Sequence, residues 1–549
     1  MQEALASLRF SRTLAAVLLS NLASLVVLNA LELRPFHLLL VYPAALCLFG
    51  WLLRRARVRR ARIDISRWMI AYALAFAAFL TVPRLPYLLE WVPGNVVLAQ
   101  ADDYGRLAEL ISMTLSDRYP LQHFANQHYL LSHYYTPFYP IALLKTLIPV
   151  LTLKDSIVIG NALYHFLLVL SLLELSSRLF SSRRSFILFF FLCTLFGGFD
   201  WLLYPRLLFT HAEHWPQALF PALRETSSYF TGLFWVVHHF TAFYSVVLAF
   251  LFAWCLRYRG RAAKPLLLGL LLINAFYSSV FALLPAFLLG FPELWWLLKR
   301  TWKTRVLPLL ILVFCGPLFL YTHRVQTGTL SITAPVVRFF GQPLLDGPAT
   351  FAAYLVLVSV IDLAGIPLLL LALFRRFNRK ERRYFAASLL FLVSTYFIES
   401  IGWNNYCMRG MLLPSLAFYY LLAKYSVAAA AQHGMRWLRW RPAVATLAIL
   451  LSVGTLKEWC SLLYQPLMYS NLYWQLQGKP PPARVTPFLL PVYRELARDR
   501  NARYYRPTRR DLHTGFKYNA EKMIRDLPVE QMFGGEKELL RYPRRTWFW

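Results

Sequence analysis

Apolar residues fill this chain in long unbroken runs, and the polar residues gather in short blocks between them. "TLAAVLLSNLASLVVLNALEL" from Thr13 and "ATLAILLSVGTL" from Ala445 are typical of the runs. Crossing a hydrocarbon core of about 30 Å takes roughly 20 helical residues. The pattern predicts spans near 12–31, 36–53, 67–83, 155–176, 185–204, 231–256, 306–322, 351–374, 384–401, 411–424 and 442–460. Residues 265–298 begin and end at basic blocks, so they cross twice or not at all. Two short helices hinged near Asn274–Ser279 fit, because a broken helix is tolerated where it lines a cavity in the protein. "FYPIALLKTLIPVLTLKD" (Phe138–Asp155) is short and carries Lys145, which predicts an interfacial or partly re-entrant helix. The fold class is an all-α polytopic membrane protein of about 11–13 crossings.

Charge fixes an orientation for these spans. Only 15% of residues are charged, against roughly 25% in a soluble domain. The net charge of +31 is concentrated in blocks: Arg54–Arg62, Ser181–Ser185, Arg257–Lys264, Lys299–Arg305 and Arg375–Arg383. Short basic loops mark the cytoplasmic side. Their counter-charge is then the anionic headgroups of membrane lipids, with no nucleic acid required. The N-terminus, with Arg9 and Arg12, falls in the cytoplasm and the C-terminus outside. The Arg-rich short loops suit a bacterial inner (plasma) membrane. The first run reads as a retained span, not a cleaved signal peptide. Six scattered cysteines show no CxxC or Cys/His spacing, which argues against a disulfide framework or a zinc site.

Beyond residue 460 the apolar runs stop, and "GKPPPARVTPFLLP" (Gly478–Pro491) reads as a Pro-rich linker. Two parts follow: a transmembrane module over 1–460 with an outer loop at 84–154, and a basic, aromatic non-cytoplasmic region over 461–549.

The candidate chemistry sits on the outer face. "AQADDYGRLAEL" places Asp102 and Asp103 ahead of Leu107, Leu110, Ile111 and Leu115, which recur as an amphipathic surface helix. Carboxylates are favoured at a helix N-terminus, and a mere cap is the plain reading of either acid alone. A carboxylate at the membrane surface can also take the proton of an acceptor hydroxyl as it attacks an anomeric carbon. A lipid-phosphate leaving group would then need a cation or hydrogen-bond donors. "FWVVHHF" sets His238 and His239 in the outer half of a span, and "ESIGWNNYCMRG" gathers Trp403, Asn404, Asn405 and Arg409 in one outer turn. Asp200 and Arg206 close another span. Ionisable groups at such depths are functional candidates. Packing of the histidines, headgroup anchoring by Arg409 and pairing of Asp200 with Arg206 are the alternatives.

In architecture, residues 12–460 resemble the GT-C superfamily of lipid-phosphate-sugar-dependent glycosyltransferases. "ADDYGRLAEL" resembles the acid pair of that family's first outer loop. "HYLLSHYYTPFYP", "WVVHHFTAFYSVVLAFL" and "WNNYCMRGMLLPSL" are similar to the loop's Tyr-rich end, the histidine-bearing span and a late Asn-rich turn in uncharacterised bacterial members. The resemblance implies a polyprenyl-phosphate-linked sugar donor, a cell-envelope acceptor (glycan, lipid or protein), and an inverting displacement with Asp102 as base and Asp103 as partner or alternate. It implies that Arg409 meets the phosphate and that Tyr134, Tyr135, Trp403, Asn404, Asn405, His238 and His239 line the sugar pocket. Asn405 stands where the pattern has an acid, which removes one candidate metal ligand. A divalent cation held by His and Asp groups of the first loop is the only cofactor left open. A transporter or flippase of a lipid-linked glycan, and a non-catalytic envelope scaffold, are the competing readings. The first usually shows two related halves, and this sequence shows no such repeat.

Overall fold

The computed structural model describes most of residues 7–87, 135–199, 229–322, 352–432 and 446–463, with short segments between 110 and 130 and between 330 and 345. Within them the chain is mostly helical, and the few strands are two-stranded pairs in the connections. Four helical segments are long and apolar enough to cross a membrane: Arg9–Ala30, Pro35–Arg55, Arg67–Leu85 and Asp155–Leu179. A bent pair, Val280–Leu289 with Phe291–Lys303, makes a fifth if counted as one span. Shorter apolar helices over His239–Cys255, Ala263–Ser278, Leu412–Ala428 and Thr446–Lys457 join them. The architecture is that of an all-α integral membrane protein.

Helices α1 (Arg9–Ala30), α2 (Leu38–Arg55) and α3 (Arg67–Thr81) open the bundle. Helix α4 (Tyr139–Leu147) follows the first long loop, and α5 (Leu153–Leu179) is the longest element. Helix α1 packs on α2 and on α5, and α3 lies along α5. No side chain of its own caps α1, because Leu8 precedes it in a left-handed turn. Glu174 of α5 does that work across the bundle. Its carboxyl group accepts the Ser11 amide at 2.7 Å, the Phe10 amide at 3.0 Å and the Ser11 hydroxyl at 2.5 Å. These amides belong to the first turn, which has no intrahelical acceptors.

The basic blocks gather at one end of the bundle. Strand β1 (Arg57–Val58) pairs antiparallel with β2 (Leu256–Arg257), setting Arg57 opposite Arg257. A guanidinium N–H of Arg183 donates to the Ser66 hydroxyl at 3.1 Å, and the Ile63 amide donates to the Ser177 carbonyl at 3.2 Å. The Phe180 ring meets Tyr420 at 5.5 Å, which brings the start of α14 (Arg379–Phe397) and the later turns of α16 (Leu412–Gln432) to the same end. Helix α14 begins with a capping box in which Asn378 accepts the Glu381 amide and Glu381 accepts the Asn378 amide. Buried Glu381 also accepts from Lys424 and Tyr425.

Burial alone would raise the Glu381 carboxyl, but the bonds from Lys424, Tyr425 and the Asn378 amide hold it below its ordinary value. A depressed folded-state pKa adds stability above the unfolded value and loses it as pH falls through the folded one. Wild-type protein in detergent is therefore expected to lose thermal midpoint steadily on the acid side of the carboxylate range. Glu381→Gln should flatten that part of the profile and lower its neutral plateau. An unchanged acid slope in the variant would assign the loss to other carboxyls.

Two predicted spans are interrupted. Of the run over 185–204 the described part, to residue 199, is helical through α6 (Arg183–Leu192) and then turns through Gly198 at φ +72°. Over 351–374 the described residues are helical at 352, 355 and 356, pass into a π-type turn (Val358–Asp362), and reach α13 (Ile366–Leu373) through two left-handed residues, Ala364 and Gly365. The interruptions satisfy each other. The Phe199 amide donates to the Ile361 carbonyl at 2.6 Å, and the Gly197 amide donates to the Leu451 carbonyl of α17 (Thr446–Lys457) at 2.9 Å. The run near 231–256 is helical in its described residues, over α7 (Tyr229–Trp235) and α8 (Val237–Cys255).

The hinge predicted near Asn274–Ser279 is present. Helix α9 (Ala263–Ser278) ends where Ser279 is extended, a short turn follows over Val280–Ala282, and α10 (Leu283–Leu289) continues. Then the chain bends by 97° into α11 (Phe291–Lys303), and α12 (Leu307–Thr322) follows. The second leg is thus half as long as a crossing requires, and α11 leaves the bundle axis.

Candidate functional site

The α9 break is where the described candidate residues meet. Ser279 closes α9 by donating its amide to the Ala275 carbonyl at 2.8 Å, its backbone turns extended there, and its side chain reaches α8. His239 Nδ1 and Ser279 Oγ share a hydrogen bond of 2.6 Å, with the Phe281 ring edge-on to the imidazole at 6.1 Å. His239 is buried, in the first turn of α8. From the other side the first loop returns into the bundle. Thr136 Oγ1 donates to the Tyr277 carbonyl at 3.3 Å, and Tyr135 is buried with its ring against Tyr139 at 6.0 Å.

Below that contact, Tyr164 of α5 donates to the Pro137 carbonyl at 2.8 Å and receives the Asn21 amide at 3.2 Å. The segment from Tyr135 to Leu147 therefore dips into the helices and cannot cross, because its helix has nine residues. The third approach is α15 (Asn405–Gly410), which packs against the Val280–Ala282 turn and carries buried Arg409. A Cβ on Gly410 would lie 2.4 Å from the Phe391 ring, so glycine lets α15 sit tightly on α14. Glu399 precedes it on strand β4 (Ile398–Ser400), opposite Ser331 of β3 (Leu330–Ile332).

Tyr135, His239 and Arg409 thus converge from three parts of the chain on one helix break, at the end away from the basic blocks. Asn405 opens α15, and His238 lies in the first turn of α8. Asp102, Asp103, Tyr134, Trp403 and Asn404 lie outside the described residues, as do Asp200, Arg206 and the region over 464–549. Among the described residues no group of three His, Cys, Asp or Glu side chains could hold a metal ion.

Other buried ionisable residues stand near this region that sequence reasoning passed over. Arg84, in the turn after α3, is almost fully enclosed and acts electrostatically on His165 of α5. His165 Nε2 meets the Leu233 carbonyl at 3.1 Å, and its Nδ1 approaches Thr81 Oγ1 at 3.4 Å. Asp362 is buried in the π-type turn beside Gly198. A signal existed for His165 and Asp362, since ionisable groups inside apolar runs are functional candidates by default. His165 and Glu174 sit within one predicted span, and Asp362 within another.

The fold and this junction define a polytopic α-helical membrane protein with an enclosed polar cluster at a broken helix. No protein-family model matches the chain, and neither curated proteins nor solved structures give a significant match.

Proposed function

We propose that this protein is a membrane glycosyltransferase of the GT-C kind. It moves a sugar from a polyprenyl-phosphate donor to a cell-envelope acceptor on the face opposite its basic end, which lies in the cytoplasm. The observation that carries this reading is the meeting of Tyr135, His239 and the Arg409 helix at the α9 break. Three segments named from sequence as parts of one sugar-phosphate site converge there, although more than 270 residues separate the first from the last.

In the proposed reaction the acceptor oxygen forms a bond to the anomeric carbon while the bond to the lipid phosphate breaks. Asp102 takes the hydroxyl proton, with Asp103 beside it, and the polyprenyl phosphate leaves as an anion. Arg409 suits that anion because a guanidinium matches phosphate oxygens in a planar, two-pronged fashion. Tyr135 and His239 offer a ring face and a hydrogen-bonding edge to the sugar. A divalent cation at the first loop would assist the phosphate, and chelation tests that separately.

The experiment uses protein in nanodiscs with a panel of radiolabelled polyprenyl-phosphate sugars, following release of polyprenyl phosphate. Asp102→Asn is expected to lower turnover by about 10²- to 10⁴-fold, the usual weight of a general base. Arg409→Ala should weaken donor binding. Turnover of no donor, with donor binding unaffected by Asp102→Asn, Asp103→Asn and Arg409→Ala, would sink the reading.

One observation favours a transporter instead. Asp362 is a buried acid at an interrupted helix, the arrangement in which transporters hold coupling ions. Under that reading Asp362→Asn abolishes donor movement across the bilayer while the Asp102 variant leaves it intact.

A further inference from the structure

Helix α11 reads "FPELWWLLKRTWK", and its residues divide into three faces. Leu297 and Thr301 are buried, four residues apart, and form the seam against the bundle. Phe291, Trp295, Leu298 and Trp302 recur at steps of four, three and four, which places them in one stripe at 3.6 residues per turn. All four are exposed, at 61, 59, 48 and 72%. Lys299 and Lys303 follow on the next side, about a fifth to a third of a turn from that stripe, and Arg300 lies nearly half a turn from it, with exposed Trp296 between Lys303 and Arg300.

A soluble surface would not display such a stripe. A transmembrane helix would not carry the basic side. The 97° bend after α10 turns α11 across the bundle axis, where it joins the basic end. Arg383 of α14 holds it there, donating to both Glu293 oxygens at 3.2 and 3.3 Å. That pair engages the helix's one acid and leaves its outward charge wholly positive. An amphipathic helix with aromatic residues on one side and Lys/Arg on the other lies in the plane of a bilayer interface.

We infer that α11 is a binding site for anionic phospholipid headgroups. The stripe of Phe291, Trp295, Leu298 and Trp302 enters the upper acyl region, and Lys299, Arg300 and Lys303 sit at the phosphates. The occupant is lipid because the apolar stripe and the basic side lie adjacent along the helix, as the acyl and phosphate layers of one leaflet do. This inference does not depend on the proposed transferase activity.

The test uses full-length protein in nanodiscs of phosphatidylcholine with graded phosphatidylglycerol. Anionic lipid retained through stepwise delipidation is read by native mass spectrometry. Each basic residue near a charged surface adds a comparable increment, so a K299Q/R300Q/K303Q variant is expected to hold phosphatidylglycerol about a hundredfold more weakly. A K299R/K303R variant should keep wild-type retention, which separates lost charge from lost fold. In parallel, the fluorescence difference between wild type and W295F/W302F should be quenched by lipids brominated high on the acyl chain and not by aqueous iodide. Equal retention in wild type and the triple variant would overturn the inference. So would iodide quenching of those two tryptophans, which would make α11 a surface for a soluble partner.

Discussion

Glu174→Ala is expected to lower the thermal midpoint of the detergent-solubilised protein more than any other single truncation in α5. Three donors lose their acceptor together: the Phe10 and Ser11 amides and the Ser11 hydroxyl. A buried donor left without a partner costs about 1–3 kcal/mol. Removing one side of a buried charged network costs about 3–5 kcal/mol, and the upper part of that range fits a site with three bonds. The Ser11 hydroxyl also meets Ser171 Oγ at 2.9 Å, so the loss spreads to a second contact between α1 and α5. Glu174→Gln keeps an acceptor oxygen and should lose less than half as much. A midpoint for Glu174→Ala within a degree of wild type would show that α1 is capped by something else.

Gly198→Val is the second large effect. Gly198 sits at φ +72°, where a β-branched residue is strained, and its missing Cβ would lie 2.5 Å from the Asp362 carbonyl oxygen and 3.0 Å from that of Ile361. Neither atom can swing aside, because the same strip of backbone accepts the Phe199 amide. The left-handed conformation alone costs a non-glycine residue about 1–3 kcal/mol. Displacing two carbonyls adds to that, and a total above about 3 kcal/mol is expected. Gly50 provides the contrast, since nothing lies within 4 Å of a Cβ there. Gly50→Ala should therefore leave the midpoint unchanged or raise it slightly, as helix propensity favours alanine. If Gly198→Val and Gly50→Ala melted together, the junction would carry no such constraint.

These two sites also mark what was legible in the sequence. The long apolar runs gave α1, α2, α3 and α5 nearly residue for residue, because length and hydropathy suffice for a continuous span. The α9 break was legible too, since basic blocks at both ends of 265–298 forced an even number of passes. Residues 185–204 and 351–374 read as continuous for a physical reason. An apolar run looks the same whether its backbone bonds close within the helix or reach a distant carbonyl such as that of Ile361. Only the fold tells which.

The same holds at the candidate site. His239 and Arg409 were visible as ionisable groups at span ends, and Tyr135 as one of a tyrosine cluster. Arg84 stands between Pro83 and Pro86 just after the third run, where the sequence pattern singles out nothing about it. Its enclosure beside His165 comes from packing of α3 on α5, which no local pattern encodes.

The cap on α1 has a consequence in time. The ribosome completes the first helix long before it makes the residue that finishes it, for Ser11 and Glu174 are 163 positions apart. At about 5–20 residues per second, that interval is roughly 8–30 s. Throughout it the opening turn of α1 keeps its amide donors toward water or headgroups, so the helix can rest at the membrane surface or shift in depth. Arrival of α5 ends that freedom, so α1 is fixed in place only once α5 has been made.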